Sequence, residues 1–248
     1  MNALQRSLVE KAGHDFGFEY AVKETSVVLI LGSARHPLQA EVRFVDDVYK
    51  ICIANAKPLF FAELGRDFSL CSDTFTCTSI EQLALFFKRS SALARSLPNQ
   101  AEHDFETAVA VELEKLKNGV KSTEVEQLVR QRVGQDTYRK AMLAYWGGAC
   151  AVTGMTMPEV LRASHALPWA ECVTDAQRLD VFNGFLLTAN LDALFDRFLI
   201  SFDKEGYILV SDDVSEDDKK ILGLEPKLKL RWITERHELY LASHRARL

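Results

Sequence analysis

Residues 183–202 read NGFLLTANLDALFDRFLISF, an apolar run that continues into a short amphipathic stretch with two aspartates, Asp192 and Asp196. Side chains four positions apart lie on the same face of a helix. Two carboxylates on one face have an ordinary use, as solvated charges near a helix start. They also have a chemical use, as oxygen ligands of a hard divalent cation. The stretch alone leaves both interpretations open.

The sequence around this stretch supplies a turn and a histidine. Asn183-Gly184 is a turn signal by composition, and His165 lies eighteen residues upstream in the segment LRASHALPW. A strand, a loop, a second strand and a helix in succession would bring His165, Asn183 and the aspartate face into one pocket. Hydrolysis of a phosphodiester needs such a combination: a neutral imidazole that takes a proton from water, and a cation that neutralises charge on the phosphate.

The order and spacing of His165, Asn183 and Asp192 resemble the motif of HNH nucleases, whose fold is a ββα unit around one metal ion. The resemblance covers residues 123–211, and this part of the chain is similar to one bacterial branch of HNH endonucleases. It is carried by three segments and a hairpin that follows them: TEVEQLVRQRVGQDTYRKAMLAYWGGACAVTG, LRASHALPW and NGFLLTANLDALFDRFLISF. It does not extend to residues 1–96.

The resemblance implies a role for each residue of the motif. His165 would be the general base, and Asn183 would pin the loop and keep the histidine oriented. Asp192 would bind the metal, with Asp196 as a second ligand or as an anchor for the first. The implied activity is metal-dependent hydrolysis of DNA by an endonuclease of restriction or phage-defence type, with one Mg²⁺ or Mn²⁺ ion and no small-molecule cofactor. Because one such site cuts one strand, a homodimer is an expected assembly.

Two positions depart from the family pattern. The last residue of the motif is more often His or Asn, and here it is Asp192, which is well suited to Mg²⁺ or Mn²⁺. The residue before the histidine is commonly a ligand, and here it is Ser164, whose neutral hydroxyl is a weak one. We therefore expect Asp196 to compensate for Ser164. The alternative is a catalytically silent HNH-fold module that binds nucleic acid or protein, and RNA cleavage by the same site is a third possibility.

Some basic, aromatic and histidine side chains outside the motif could also contribute to this site. Three arginines are candidates for phosphate contacts, with packing or salt bridges as the competing use: Arg132, Arg139 and Arg197. Trp146 and Trp169 are expected to pack the small core rather than stack on bases. The five other histidines are expected to be structural or on the surface.

Composition describes an ordinary globular chain. Of its 248 residues, 48% are hydrophobic and 26% are charged, and no apolar run reaches the length of a membrane span. The N-terminus is too polar for a signal peptide, and the five cysteines form no C-x-x-C pair, so we expect a cytoplasmic protein with free thiols. A formal net charge of −5 gives no overall attraction to nucleic acid, and any contact with DNA must be local.

The pattern along the chain predicts the α+β class, with a small N-terminal α+β domain. The resemblance implies a C-terminal HNH domain that has a ββα-metal core. The N-terminal domain, residues 1–97, would serve targeting, sensing or dimerisation. Residues 98–121 would form a helical linker, with a connecting helix over 105–118 that ends near Asn118-Gly119. Residues 122–248 would form the nuclease domain, whose first helix Ser122 would cap. Expected elements are a helix over 2–13, strands over 26–32, 39–45 and 48–54, and a helix over 79–97. Gly134 is expected to interrupt the helix that follows the linker.

Overall fold

The computed structural model describes residues 1–25, 27–98, 100–115 and 123–248. It divides into two compact units, Met1–Leu97 and Pro98–Leu248. Both contain helices and strands, which confirms the α+β class. Among the described residues, no helix is both long enough and apolar enough to cross a membrane.

The first unit is a six-stranded antiparallel sheet with three helices. The strand order is β1-β2-β3-β4-β6-β5. The strands are Tyr20–Glu24 (β1), Val28–Gly32 (β2), Gln39–Val45 (β3), Val48–Ala54 (β4), Leu70–Cys71 (β5) and Thr74–Cys77 (β6). The helices are Ala3–Asp15 (α1), Pro58–Leu64 (α2) and Ile80–Ser96 (α3).

The elements predicted for this unit follow the local sequence rules. Asp46 and Asp47 both have positive φ, 53° and 60°, and join β3 to β4 as a tight hairpin turn. Ala40 and Val42 are buried while their neighbours in β3 face outward, which is the alternation expected of a strand with one wet face. Ser79 caps α3 by accepting a hydrogen bond from the backbone N–H of Gln82 at 3.2 Å.

The second unit contains six α-helices, two short 3-10 helices (Pro158–Val160 and Trp169–Glu171) and four strands over the part of it that the structure describes. The helices are Gln100–Lys115 (α4), Thr123–Tyr145 (α5), Asp175–Leu179 (α6), Ala189–Phe195 (α7), Glu216–Ile221 (α8) and Glu235–Arg245 (α9). The strands are Leu161–His165 (β7), Gly184–Thr188 (β8), Ile200–Phe202 (β9) and Ile208–Val210 (β10). The predicted linker end at Asn118-Gly119 and the predicted cap Ser122 lie outside the described residues.

The strand-loop-strand-helix unit is present. Strands β7 and β8 pair antiparallel, with His165 opposite Gly184 and Leu161 opposite Thr188, and α7 follows β8 directly. Gly184 has a φ of 144°, and a Cβ there would lie 1.9 Å from the carbonyl oxygen of Ser164. Only glycine allows the two strands to approach this closely next to the histidine. The predicted hairpin after α7 is formed by β9 and β10.

The prediction that Gly134 interrupts a helix was wrong, because α5 runs unbroken from Thr123 to Tyr145. A Cβ at Gly134 would lie 2.3 Å from Cη2 of Trp169. The position therefore needs a glycine because any larger side chain would collide with the indole ring of Trp169. The cost of the glycine in helix propensity, about 1 kcal/mol, is offset by the contact.

The core of this unit contains Trp146, as expected, together with residues of a helix that the sequence did not predict. Trp146 is fully buried and stacks on Trp232 with ring centroids 4.1 Å apart. Helix α9 buries His237 and His244 against the same core. Because the buried face of α9 is largely histidine, its sequence lacks the apolar spacing that would have predicted a helix. All five cysteines are free, as expected.

Candidate active site

One cavity of about 520 Å³ in the second unit brings together His165, Asp192 and Asp196. Residues of α5, β7 and α7 contribute to its walls. The histidine comes from the last position of β7, Asp192 from α7, and Asp196 from the residue that ends α7. The antiparallel pairing of β7 with β8 places the start of α7 beside β7, which explains how residues distant in sequence meet.

The imidazole of His165 has a defined protonation state. Its Nε2 lies 2.9 Å from the backbone carbonyl oxygen of Arg178, which can only accept, so Nε2 carries the proton. The Nδ1 lone pair has no hydrogen-bond partner among the described residues. Burial lowers the pKa of His165 from 6.5 to about 4, so the ring is neutral at pH 7. A neutral ring with an unshared lone pair can accept a proton.

Two aromatic rings fix the orientation of this imidazole. Tyr138 of α5 stacks on His165 with centroids 3.8 Å apart and planes 20° from parallel. Trp169 meets the imidazole edge-on at 5.8 Å. The Tyr138 hydroxyl donates to the carbonyl oxygen of Asn183 at 2.9 Å, which ties α5 to the start of β8. Tyr138 could not be predicted from the sequence, since a tyrosine inside a helix gives no signal of a histidine partner 27 positions later.

Asn183 is buried and bonded through both ends of its amide. Its Oδ1 accepts from the backbone N–H of Leu167 at 2.8 Å, and its Nδ2 donates to the carbonyl oxygen of Gln177 at 3.0 Å. The Asn183 carbonyl oxygen accepts from the N–H of Ala166 at 3.1 Å. These bonds cross the loop between β7 and β8 and hold its two ends together beside His165.

Ser164, the residue before the histidine, is hydrogen-bonded to Asp192. Its side chain is buried, with 2% of the residue exposed, and its hydroxyl donates to Oδ1 of Asp192 at 2.6 Å. A charge-assisted bond of that length fixes the rotamer of the carboxylate. Ser164 therefore acts on Asp192 and contributes no ligand of its own.

Asp196 is the second carboxylate of the cavity. Burial and the nearby charge of Asp192 raise its pKa from 3.8 to about 6. No side chain among the described residues donates a hydrogen bond to it or pairs with it. An exposed residue whose carboxylate is made harder to ionise by its neighbour Asp192, with only the charge of Arg197 acting the other way, is an arrangement that a bound cation would relieve.

The donor set fits a hard divalent cation held only in part by protein. In the described ranges, no group of three or more His, Cys, Asp or Glu residues could hold a metal ion. Mg²⁺ is commonly held by one or two carboxylates, with water and substrate phosphate completing its coordination. Asp192 and Asp196 supply that number of carboxylates, in a cavity large enough for water and a phosphate.

The three arginines considered for phosphate contacts lie in different surroundings. Arg139 lines the cavity and donates to backbone carbonyls of Leu161 and Pro158. Arg132 points away towards Glu112, with 80% of its side chain exposed, and Arg197 donates to the carbonyl of Ala193 on the surface. The cavity also includes Arg162, which was not among the predicted site residues.

A comparison with protein families places this site in a known class. Residues 150–203, less than half of the chain, match the family model described as HNH endonuclease. No curated protein matches the chain. The matched range contains β7, β8 and α7, and with them the three motif residues and Asp196. The match confirms the resemblance to HNH endonucleases over residues 150–203, so this part of the second unit is an HNH endonuclease domain.

Proposed function

We propose that the protein is a metal-dependent endonuclease that hydrolyses phosphodiester bonds of DNA. The observation that carries this proposal is the meeting of a neutral, oriented His165 with two carboxylates, Asp192 and Asp196, in one open cavity. Either feature alone has an ordinary structural explanation. Together they provide a proton acceptor and a cation site within reach of one phosphate.

In this mechanism His165 acts through Nδ1. The lone pair takes a proton from water, and the water oxygen attacks phosphorus as the bond to the 3′-oxygen breaks. The Nε2–H bond to the Arg178 carbonyl strengthens as the ring becomes positive, and this stabilises the imidazolium that forms during the reaction. Tyr138 and Trp169 keep the ring from rotating out of line. The products carry 5′-phosphate and 3′-hydroxyl ends.

Asp192 and Asp196 would hold the cation, Mg²⁺ or Mn²⁺ by the preference of hard ions for carboxylate oxygen. When bound, the cation supplies neutralisation of charge on the phosphate and on the leaving oxygen. Asn183 acts as a positioning residue, because its amide closes the loop that ends in His165.

We assign the activity to restriction or phage defence in the cytoplasm. The first unit would select the target, sense a signal or join two copies of the chain. Joining two copies suits an enzyme with one strand-cutting site per chain, since a double-strand break requires two sites or two visits.

The proposal is tested by incubating the full chain with supercoiled plasmid and Mg²⁺, Mn²⁺ or Ni²⁺. We expect nicked and linear products with the wild type and none with His165→Ala. His14→Ala, which removes a histidine whose side chain is 73% exposed, is the matched control and should cut normally. Plasmid that stays supercoiled with every metal, although the protein binds it, would refute the enzyme and leave a silent binding module. A parallel RNA substrate decides between the two nucleic acids.

A further inference from the structure

Two arginines of the cavity share one backbone acceptor. Arg139 donates through Nη1 to the carbonyl oxygen of Leu161 at 2.6 Å, and Arg162 donates to the same oxygen at 2.9 Å. Each guanidinium has a second carbonyl partner nearby, Pro158 for Arg139 and Glu159 for Arg162. The two positive groups are thus held side by side at the start of β7.

This pair carries positive charge that the protein leaves unneutralised. Neither guanidinium pairs with a carboxylate anywhere in the ranges that the structure describes. Other arginines of the same unit do have such partners: Arg130 with Glu106, Arg178 with Asp175, and Arg247 with Glu171. Like charges in contact are unfavourable unless an anion joins them. Arg162 uses only Nη1, so its Nε–H and Nη2 hydrogens remain available to a ligand.

The position of the pair separates it from the reacting centre. Leu161 and His165 stand at opposite ends of β7, four residues apart, which corresponds to about 13 Å along a strand. The carbonyl bonds keep both guanidinium groups at the Leu161 end. We place the phosphate that His165 serves at the other end of β7, which leaves the arginine pair to a second phosphate in the same cavity.

We propose that Arg139 and Arg162 form a subsite for a backbone phosphate that flanks the bond being cut. This inference rests on the proposed nuclease function and specifies its substrate class. Guanidinium groups bind phosphate oxygens through paired, charge-assisted hydrogen bonds, and two adjacent ones suit a single phosphate. The substrate is then a polynucleotide strand, because an isolated phosphodiester offers nothing to the subsite.

A comparison of two substrates tests the subsite through catalysis. Arg162→Gln should lower kcat/KM for an oligonucleotide by roughly 10- to 100-fold, the effect of one lost charge-assisted contact. It should lower hydrolysis of bis(p-nitrophenyl) phosphate, which has a single phosphate, by much less. Arg132→Gln is the matched control: the same charge is lost from α5 outside the cavity, and neither rate should change. Equal losses on both substrates for Arg162→Gln, or no loss on either, would overturn the proposal.

A binding measurement separates this proposal from the nuclease itself. His165→Ala protein in EDTA is titrated with a fluorescent DNA duplex between 50 and 200 mM salt, with and without Arg162→Gln. Removing one phosphate contact should reduce the slope of log K against log salt by about 0.9. An unchanged slope overturns the subsite even where the wild type cuts DNA. A reduced slope supports the subsite even where no cleavage is found.

Discussion

Removing the hydroxyl of Ser164 should weaken metal binding while leaving the fold in place. In Ser164→Ala, Oδ1 of Asp192 loses the donor that lies 2.6 Å away, and nothing else among the described side chains donates to it. Partners that orient a metal ligand from behind typically contribute 10- to 100-fold to metal affinity. We therefore expect the Kd for Mn²⁺ to rise by roughly 10- to 100-fold.

The assay is calorimetric titration of the metal-free full chain with Mn²⁺, together with a denaturant unfolding curve. The loss in unfolding free energy should be modest, about 1–2 kcal/mol for one buried hydrogen bond. Ser201→Ala is the matched control: its hydroxyl is also buried in a strand, but it bonds to His244. That variant should lose similar stability and bind Mn²⁺ normally.

Two results would refute the reasoning. If Ser164→Ala binds Mn²⁺ as tightly as the wild type, the bond does not prepare Asp192 for a cation. If Ser201→Ala weakens Mn²⁺ binding to the same extent, the effect is a general loosening of the unit. Restoration of affinity in Ser164→Thr, which keeps a hydroxyl, would tie the effect to the hydrogen bond.

Three further predictions concern residues whose role is in packing. Tyr138→Leu removes the ring stacked on His165 and should lower plasmid nicking about tenfold, whereas Tyr138→Phe keeps it and should retain most activity; equal losses would contradict this. Gly134→Ala should destabilise by about 1–3 kcal/mol in denaturant, because its Cβ would meet Trp169, and a stabilised variant would disprove it. Burial lowers the pKa of His36 from 6.5 to about 4, so the unfolded chain protonates first; stability should fall between pH 6.5 and 4, and less in His36→Gln.

Sequence alone predicted the elements whose local rules are strong. The hairpin at Asp46-Asp47 and the capped helix after Ser79 each follow from a few neighbouring residues, and both are present. Strand β1 was missed because it lies at the edge of the sheet with every residue exposed, so it has no alternation to detect. Strands β5 and β6 were missed because a two-residue turn at Ser72-Asp73 joins pieces too short for a period.

At the candidate site, sequence could name the reacting residues but not what surrounds them. His165 and the two aspartates were found through motif spacing, which is a property of the chain. Tyr138 and Arg162 depend on how α5 lies against β7, and that arrangement is set by packing. The same limit explains Gly134, whose place inside α5 is understood only once the indole of Trp169 is seen against it.

The two aspartates that began as equivalent charges on one helix face are different in the structure. Asp192 already accepts a hydrogen bond from Ser164, so its carboxylate is ordered before any ligand arrives. Asp196 has no such donor, and burial beside Asp192 raises its pKa to about 6. A cation entering the cavity would therefore meet one fixed ligand and one whose charge it stabilises. Ser164 occupies a position where the family commonly has a metal ligand, and here its hydrogen bond fixes the carboxylate of Asp192 instead.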